Sequence, residues 1–293
     1  MAEEIKSEAK QDKKGALRPD LVTVAGLVIG FAGILGGLLM EGGRIRDVAQ
    51  ITAAMIVLGG TIGAVMISTP LHVLKGAVVR VRGVFFDSTP DLSQITEEVI
   101  GYATKARKNG IVSLEQEAEE IADPFLRKAL NLAVDGTDLQ EIRKMLELEM
   151  DTGDQRVEAE AKVFECAGGY APTVGIIGAV LGLIQVMKNL ANIDEVGHGI
   201  AVSFVATVYG VGSANLLFLP IASKIKARQR AESQRQELIL EGVAGIVEGL
   251  NPKLIREKLK AFTGASNSAR APEAPSKTPA ESKVAETPVK AEA

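Results

Sequence analysis

Along this chain the hydrophobic positions collect into four long stretches without one charged side chain: Leu21 to Met40, Val48 to Leu74, Cys166 to Met187 and Gly199 to Ser223. As a helix, each is long enough to cross about 30 Å of hydrocarbon. They come in two pairs, and between the pairs the pattern changes. Segment 75–165 is charged and shows the spacing of short amphipathic helices. The pattern predicts an all-α membrane protein: four transmembrane helices in a 2+2 arrangement, with a helical cytoplasmic domain between spans two and three. The expected divisions are an N-terminal tail 1–20, spans one and two 21–74, the helical domain 75–165, spans three and four 166–223, a cytoplasmic helical extension 224–262 and a disordered tail 263–293.

Punctuation within the middle segment predicts individual helices. Thr89-Pro90 opens one, with Leu92, Ile95, Val99 and Ala103 on its apolar face, and Asn109-Gly110 closes it. Ser113 to Gln116 has the spacing of a capping box opening a second. Asp123-Pro124 opens a third that Asp135-Gly136 stops, and Thr137 to Gln140 opens a fourth through Ile142, Leu146 and Met150, punctuated at Gly153. From Asp154 a polar run enters span three without a breaker before Gly168, which predicts one long helix projecting from the membrane. Span four is expected to continue in the same way past Lys224. Beyond Phe262 large apolar side chains almost vanish, so the tail cannot bury enough surface to offset its ordering entropy.

Charge then sets orientation. Lys13, Lys14 and Arg18 precede span one, Lys75, Arg80 and Arg82 follow span two, and Lys224, Lys226, Arg228 and Arg230 follow span four. Of Lys and Arg, the two short turns hold only Arg44, Arg46 and Lys188. This bias puts both termini and the middle segment in the cytoplasm and predicts a multi-pass membrane protein with two short turns outside. The mixed charges of residues 1–20 do not read as a cleavable signal.

Candidate chemistry narrows the picture by what is missing. No basic patch with interleaved aromatics points to nucleic acid. The one cysteine, Cys166, offers neither a disulfide nor a metal spacing. His72 and His198 are expected at opposite sides of the membrane. No nucleophile, base and orienting group stand in an enzyme's arrangement, so neither catalysis nor a cofactor is expected. Span one carries Gly26, Gly30, Gly33 and Gly37 on one face, a spacing that admits close helix packing within or between subunits. In span three Pro172 frees the carbonyl of Gly168. Span four carries Ser203, Thr207, Tyr209, Ser213 and Asn215 ahead of Pro220, a weakly polar seam. A proton relay through a membrane needs an acid or base; these spans contain no Asp, Glu, Lys or Arg, and their one His, His72, sits at an end. A partner subunit must therefore supply a membrane-embedded Asp or Glu.

In this order and spacing, the spans together with Ala106-Arg107-Lys108-Asn109-Gly110, Leu114-Glu115, Val134-Asp135-Gly136, Ala171-Pro172, Gly175-Ile176-Ile177-Gly178, Ala206-Thr207-Val208-Tyr209-Gly210 and Pro220-Ile221-Ala222 resemble the MotA/PomA family over roughly residues 20–262. That family is the A subunit of the bacterial flagellar stator. The resemblance implies a homo-pentamer around a dimer of a MotB-like B subunit, five A to two B, with the titrating Asp on B. Ion flow would turn the A ring, and the cytoplasmic loop would pass torque to the flagellar rotor protein FliG. The resemblance makes Arg107 and Glu115 rotor-interface charges, with Lys108 and Glu117 as further candidates. It makes Pro172 and Pro220 coupling prolines and Thr207, Ala179 and Tyr209 ion-pathway residues. Sodium-type relatives carry Thr at the position of Ala179 and Thr-Thr at Ala206-Thr207. Fewer hydroxyl ligands here favour H+ as the transported ion. The alternative reading is an ExbB/TolQ-like energiser of outer-membrane processes, whose members usually have three spans.

Overall fold

The computed structural model describes residues 18–87 and 91–268. It is all-α apart from one antiparallel pair of two-residue strands, β1 (Arg18–Pro19) and β2 (Phe86–Asp87). Four helices are long and apolar enough to cross a membrane: Leu21–Met40, Ile51–Ser68, Leu139–Lys188 and Ile193–Val247. Two precede and two follow a compact helical bundle.

Span one is α1 (Leu21–Met40). Asp20 caps it by accepting the Thr23 N–H at 3.1 Å. None of its residues is buried within the subunit. The short α2 (Ile45–Val48) then leads to span two, which is not the single helix expected over Val48–Leu74. It consists of α3 (Ile51–Ala54), a π-turn (Met55–Gly59) and α4 (Gly60–Ser68). The break follows from Pro70, which has no N–H and forces the residue before it out of the helical region. Thr69 is extended, and Pro70 starts α5 (Leu71–Val84).

The middle segment forms α6 (Leu92–Asn109), a 3-10 turn (Ile111–Leu114), α7 (Glu115–Glu120) and α8 (Pro124–Val134). Thr89-Pro90 lies outside the described residues. The cap of α6 is Asp91, which accepts the N–H groups of Ser93 and Gln94. Gly110 and Gly136, at φ 86° and 75°, turn the chain where glycine alone does so without strain. The capping box expected at Ser113 does not form. Ser113 Oγ donates instead to the Gly110 carbonyl at 2.6 Å, because that sharp turn brings the carbonyl within reach. Asp123 caps α8 as expected.

Spans three and four are the long members. The separate fourth helix, its stop at Gly153 and the projecting helix prove to be one element, α9 (Leu139–Lys188), of 50 residues and about 75 Å. A glycine inside a helix costs about 1 kcal/mol against alanine, which the packed residues on both sides outweigh. Pro172 also stays inside α9. Span four continues through α10 (Ile193–Ser213), a π-turn (Ala214–Phe218) and α11 (Leu219–Val247). The last helix, α12 (Pro252–Ser268), runs past Phe262, so the expected disorder does not begin at 263; residues 269–293 lie outside the described set.

The largest core is in the bundle. Leu114, Leu126, Leu130, Ile142, Leu146, Leu238, Ile239, Ile255 and Leu259 are fully buried there. Each such side chain stabilises by about 1.5–3 kcal/mol. The ends of α9 and α11 that lie beyond the apolar spans are thus part of the same core as α6 to α8. The bundle is joined to spans three and four through the unbroken helices α9 and α11.

Candidate functional site

The two long helices cross where small residues leave their backbones bare. A Cβ on Gly210 would lie 2.6 Å from the Ala171 carbonyl oxygen and 3.0 Å from Gly175 Cα. A Cβ on Gly182 would meet Ser203 Oγ and the Gly199 carbonyl, and one on Gly178 would meet Ala206 at 2.8 Å. At Gly210 and Gly182 the obstacle includes backbone, an approach that only glycine permits, and at Gly178 it is the Ala206 methyl.

Two of the three expected ion-pathway residues, Ala179 and Thr207, lie at this crossing. Ser203, buried, donates its hydroxyl to the Ala179 carbonyl at 2.6 Å, which ties span four to span three. Thr207, half-buried, bonds back to the Ser203 carbonyl at 3.2 Å. Ser213 and Asn215 also donate to their own helix, at the Gly210 and Val211 carbonyls. Much of the polar seam is therefore satisfied locally, and Ala179 is linked through Ser203 to the turn that carries Ala206 and Thr207. Tyr209 goes elsewhere: its hydroxyl donates to the Val48 carbonyl and accepts the Gln50 N–H at 3.3 Å, both just before span two.

The two prolines are brought together through their neighbours. Gly168, whose carbonyl Pro172 leaves without its helical donor, lies against the Leu219 side chain that precedes Pro220. Thr173 Oγ1 donates to the Tyr170 carbonyl at 2.8 Å beside the same break. The π-turn ahead of Pro220 makes an i to i−5 bond, from the Leu219 N–H to the Ala214 carbonyl. Extra or missing helix bonds of this kind mark places where a helix bends.

Charge is concentrated just beyond the apolar spans. Asp20 accepts from Lys224 at 2.6 Å and Arg228 at 3.2 Å, and its N–H bonds the Phe85 carbonyl at 2.9 Å. The Lys224 ammonium, then the Thr23 N–H, hold its carboxyl well below the usual carboxylate range. Glu160, 4% exposed, pairs with Arg80 across α5 and α9, with Arg156 at 3.6 Å. It fits there because Gly76 leaves the space. Patterning alone missed Asp20 and Glu160, since a charge near a span reads as an interface residue until its partners are known.

The four charges expected to face outward fall into two groups. Arg107 and Lys108 lie exposed in the last turn of α6, and Glu115 lies exposed at the start of α7. Among the described residues these three make no ion pair. Each also sits at the helix end whose dipole favours its sign. Glu117 differs: it is half-buried and pairs with Lys105.

Comparison with known proteins covers the same regions. The Motility protein A N-terminal model matches residues 24–108, and the MotA/TolQ/ExbB proton channel family model matches residues 117–238. Motility protein A of Bacillus subtilis is 34% identical over 253 residues, 85% of this chain and 92% of that protein. The solved structure of C. jejuni MotAB aligns at TM-score 0.80 with 33% identity, over 83% of this chain and 95% of that one. The flagellar MotAB stator complex of Bacillus subtilis aligns at TM-score 0.78 with 32% identity, over 85% and 98%.

Proposed function

This chain belongs to the MotA/TolQ/ExbB proton channel family and is a stator A subunit of the bacterial flagellar motor; from that premise we propose how its residues conduct and couple. The match of residues 24–108 to the motility-protein N-terminal model covers spans one and two, and it favours the flagellar machine over the outer-membrane energisers. The solved relatives are MotAB complexes, and the partner of this chain is a MotB-like B subunit.

The observation that carries the mechanism is the absence of Asp, Glu, Lys and Arg from all four apolar spans. The titrating carboxylate is therefore on the B subunit, in an assembly of five A and two B subunits. It faces Ala179, Ala206 and Thr207, where methyl groups in place of hydroxyls leave too few oxygens to replace a sodium ion's hydration shell. The ion is H+. Both termini lie in the cytoplasm and the spans cross the inner membrane. The change of charge on B acts on the crossing of spans three and four, and the bends at Pro172 and Pro220 pass it to the helical bundle. The bundle is continuous with those helices and moves with them. Arg107, Lys108 and Glu115 present exposed charge to complementary charge on the rotor protein FliG. The work is mechanical, with no covalent step.

The test is complementation of a strain lacking its own A subunit, with swimming speed read against external sodium and external pH. Restored motility that follows pH and ignores sodium is the expected result. Strict dependence on sodium would overturn the choice of ion, and failure of the wild-type chain with its own B subunit to restore motility would overturn the function.

A further inference from the structure

We infer that Tyr209 is a positioning residue whose hydroxyl pins the entrance of span two against the inner pair. It is not a group that handles the ion. The inference rests on the stator reading for its function, but its geometry stands alone.

Between α2 and α3 the backbone leaves the helix at Ala49, with φ −88° and ψ 74°. Those angles are the inverse γ-turn, and the Gln50 N–H reaches back to the Val48 carbonyl at 3.2 Å. Such a bond is bent and weak, and irregular backbone beside a membrane span is costly unless other groups satisfy it. The Tyr209 hydroxyl does so from 161 positions away, donating to the Val48 carbonyl and accepting from the Gln50 N–H. One phenol thus saturates both polar groups of the turn.

What the turn positions makes the contact matter. Tyr209 packs against the cluster of Ala53, Val57, Val205 and Ala206. Val57 belongs to the π-turn of span two, and its neighbour Ile56 lies 3.3 Å from where a Cβ on Gly178 would stand. Gly178 is also the site that faces Ala206. The hydroxyl therefore fixes the register of span two at the level of Ala179, Ala206 and Thr207. Releasing it lets the turn open and the π-turn shift against the wall that faces the partner's carboxylate.

The experiment uses the full A–B complex carrying Tyr209→Phe, which keeps the ring and its packing. In a Cys166→Ser background, a cysteine placed at the exposed Ala49 is labelled with a maleimide in purified complex, and rates are compared per mole of complex. Loss of one shared hydroxyl is expected to raise the labelling rate by about threefold to tenfold. In cells, the external proton concentration giving half-maximal swimming speed shifts, while maximal speed falls much less. A general folding defect would lower the amount of complex and maximal speed without moving that midpoint. Unchanged labelling would overturn the proposal even if motility suffers. So would a flattened pH profile with normal labelling, which would make the phenol an ion-pathway group. The labelling does not depend on motility, so it stays decisive if the stator reading fails.

Discussion

Span one and the crossing of spans three and four use the same residue in opposite ways. Both are rich in glycine at helical spacing. At the crossing, added Cβ atoms would strike main-chain atoms at Gly175, Gly182 and Gly210. In span one, Gly26, Gly33, Gly36 and Gly37 have nothing within 4 Å, and only Gly30 meets a neighbour, Leu216 at 3.1 Å. Small residues therefore record close approach in the inner pair, whereas most of the span-one stripe plays no part in packing within the subunit. What anchors span one is polar and lies at its end: the Asp20 cap, its pairs with Lys224 and Arg228, and the β1–β2 contact.

That contrast can be broken most severely at Gly210. Gly210→Leu should abolish motility and remove most complex from the membrane, read by immunoblot and swim assay. Overpacking commonly costs about 1–3 kcal/mol, and here the obstacle is backbone that cannot move aside. Next come the exposed charges. Arg107→Glu or Glu115→Lys should cut swimming several-fold at normal membrane levels. Glu117→Gln should do much less to swimming, since that carboxylate is already held by Lys105, and should cost under about 1 kcal/mol of stability.

Asp20→Asn tests the anchor of span one. It should lower the melting temperature of the purified complex by a few degrees while leaving the inner pair intact. The carboxyl is held below its ordinary range, so its contribution is fully present above the unfolded-state value near 4 and fades as pH falls through the lower folded value. The gap in melting temperature between wild type and Asp20→Asn should stay constant from pH 7 to about 4 and close below that. The smallest effect is expected from Gly33→Ala, which meets open space within the subunit; near-normal complex levels in the membrane would sharpen the contrast with Gly210.

Much of the architecture was legible in the chain. Charge-free stretches of spanning length mark the four membrane helices, because no other regular element lets about 20 apolar residues satisfy their backbone in hydrocarbon. Gly110, Asp123, Pro124 and Gly136 mark their helix ends by local sterics and hydrogen bonding. Gly153 misled for the same local reason: a weak breaker was overruled by the contacts of α9 with the rest of the bundle. Pro70 was undervalued, since an apolar run hides a break that only the missing N–H enforces.

The sequence alone determined the membrane spans, the helical domain between them, the positions of the prolines and the lack of an intramembrane acid, because each depends on composition or on neighbours a few residues away. Only the tertiary structure decided which glycines pack, which of Arg107, Lys108, Glu115 and Glu117 is already paired, and where the Tyr209 hydroxyl goes. Those outcomes depend on groups from different helices meeting within a few ångström, from 12 positions apart for Lys105 and Glu117 to 161 for Tyr209 and Val48, and no local pattern in the chain encodes such a meeting.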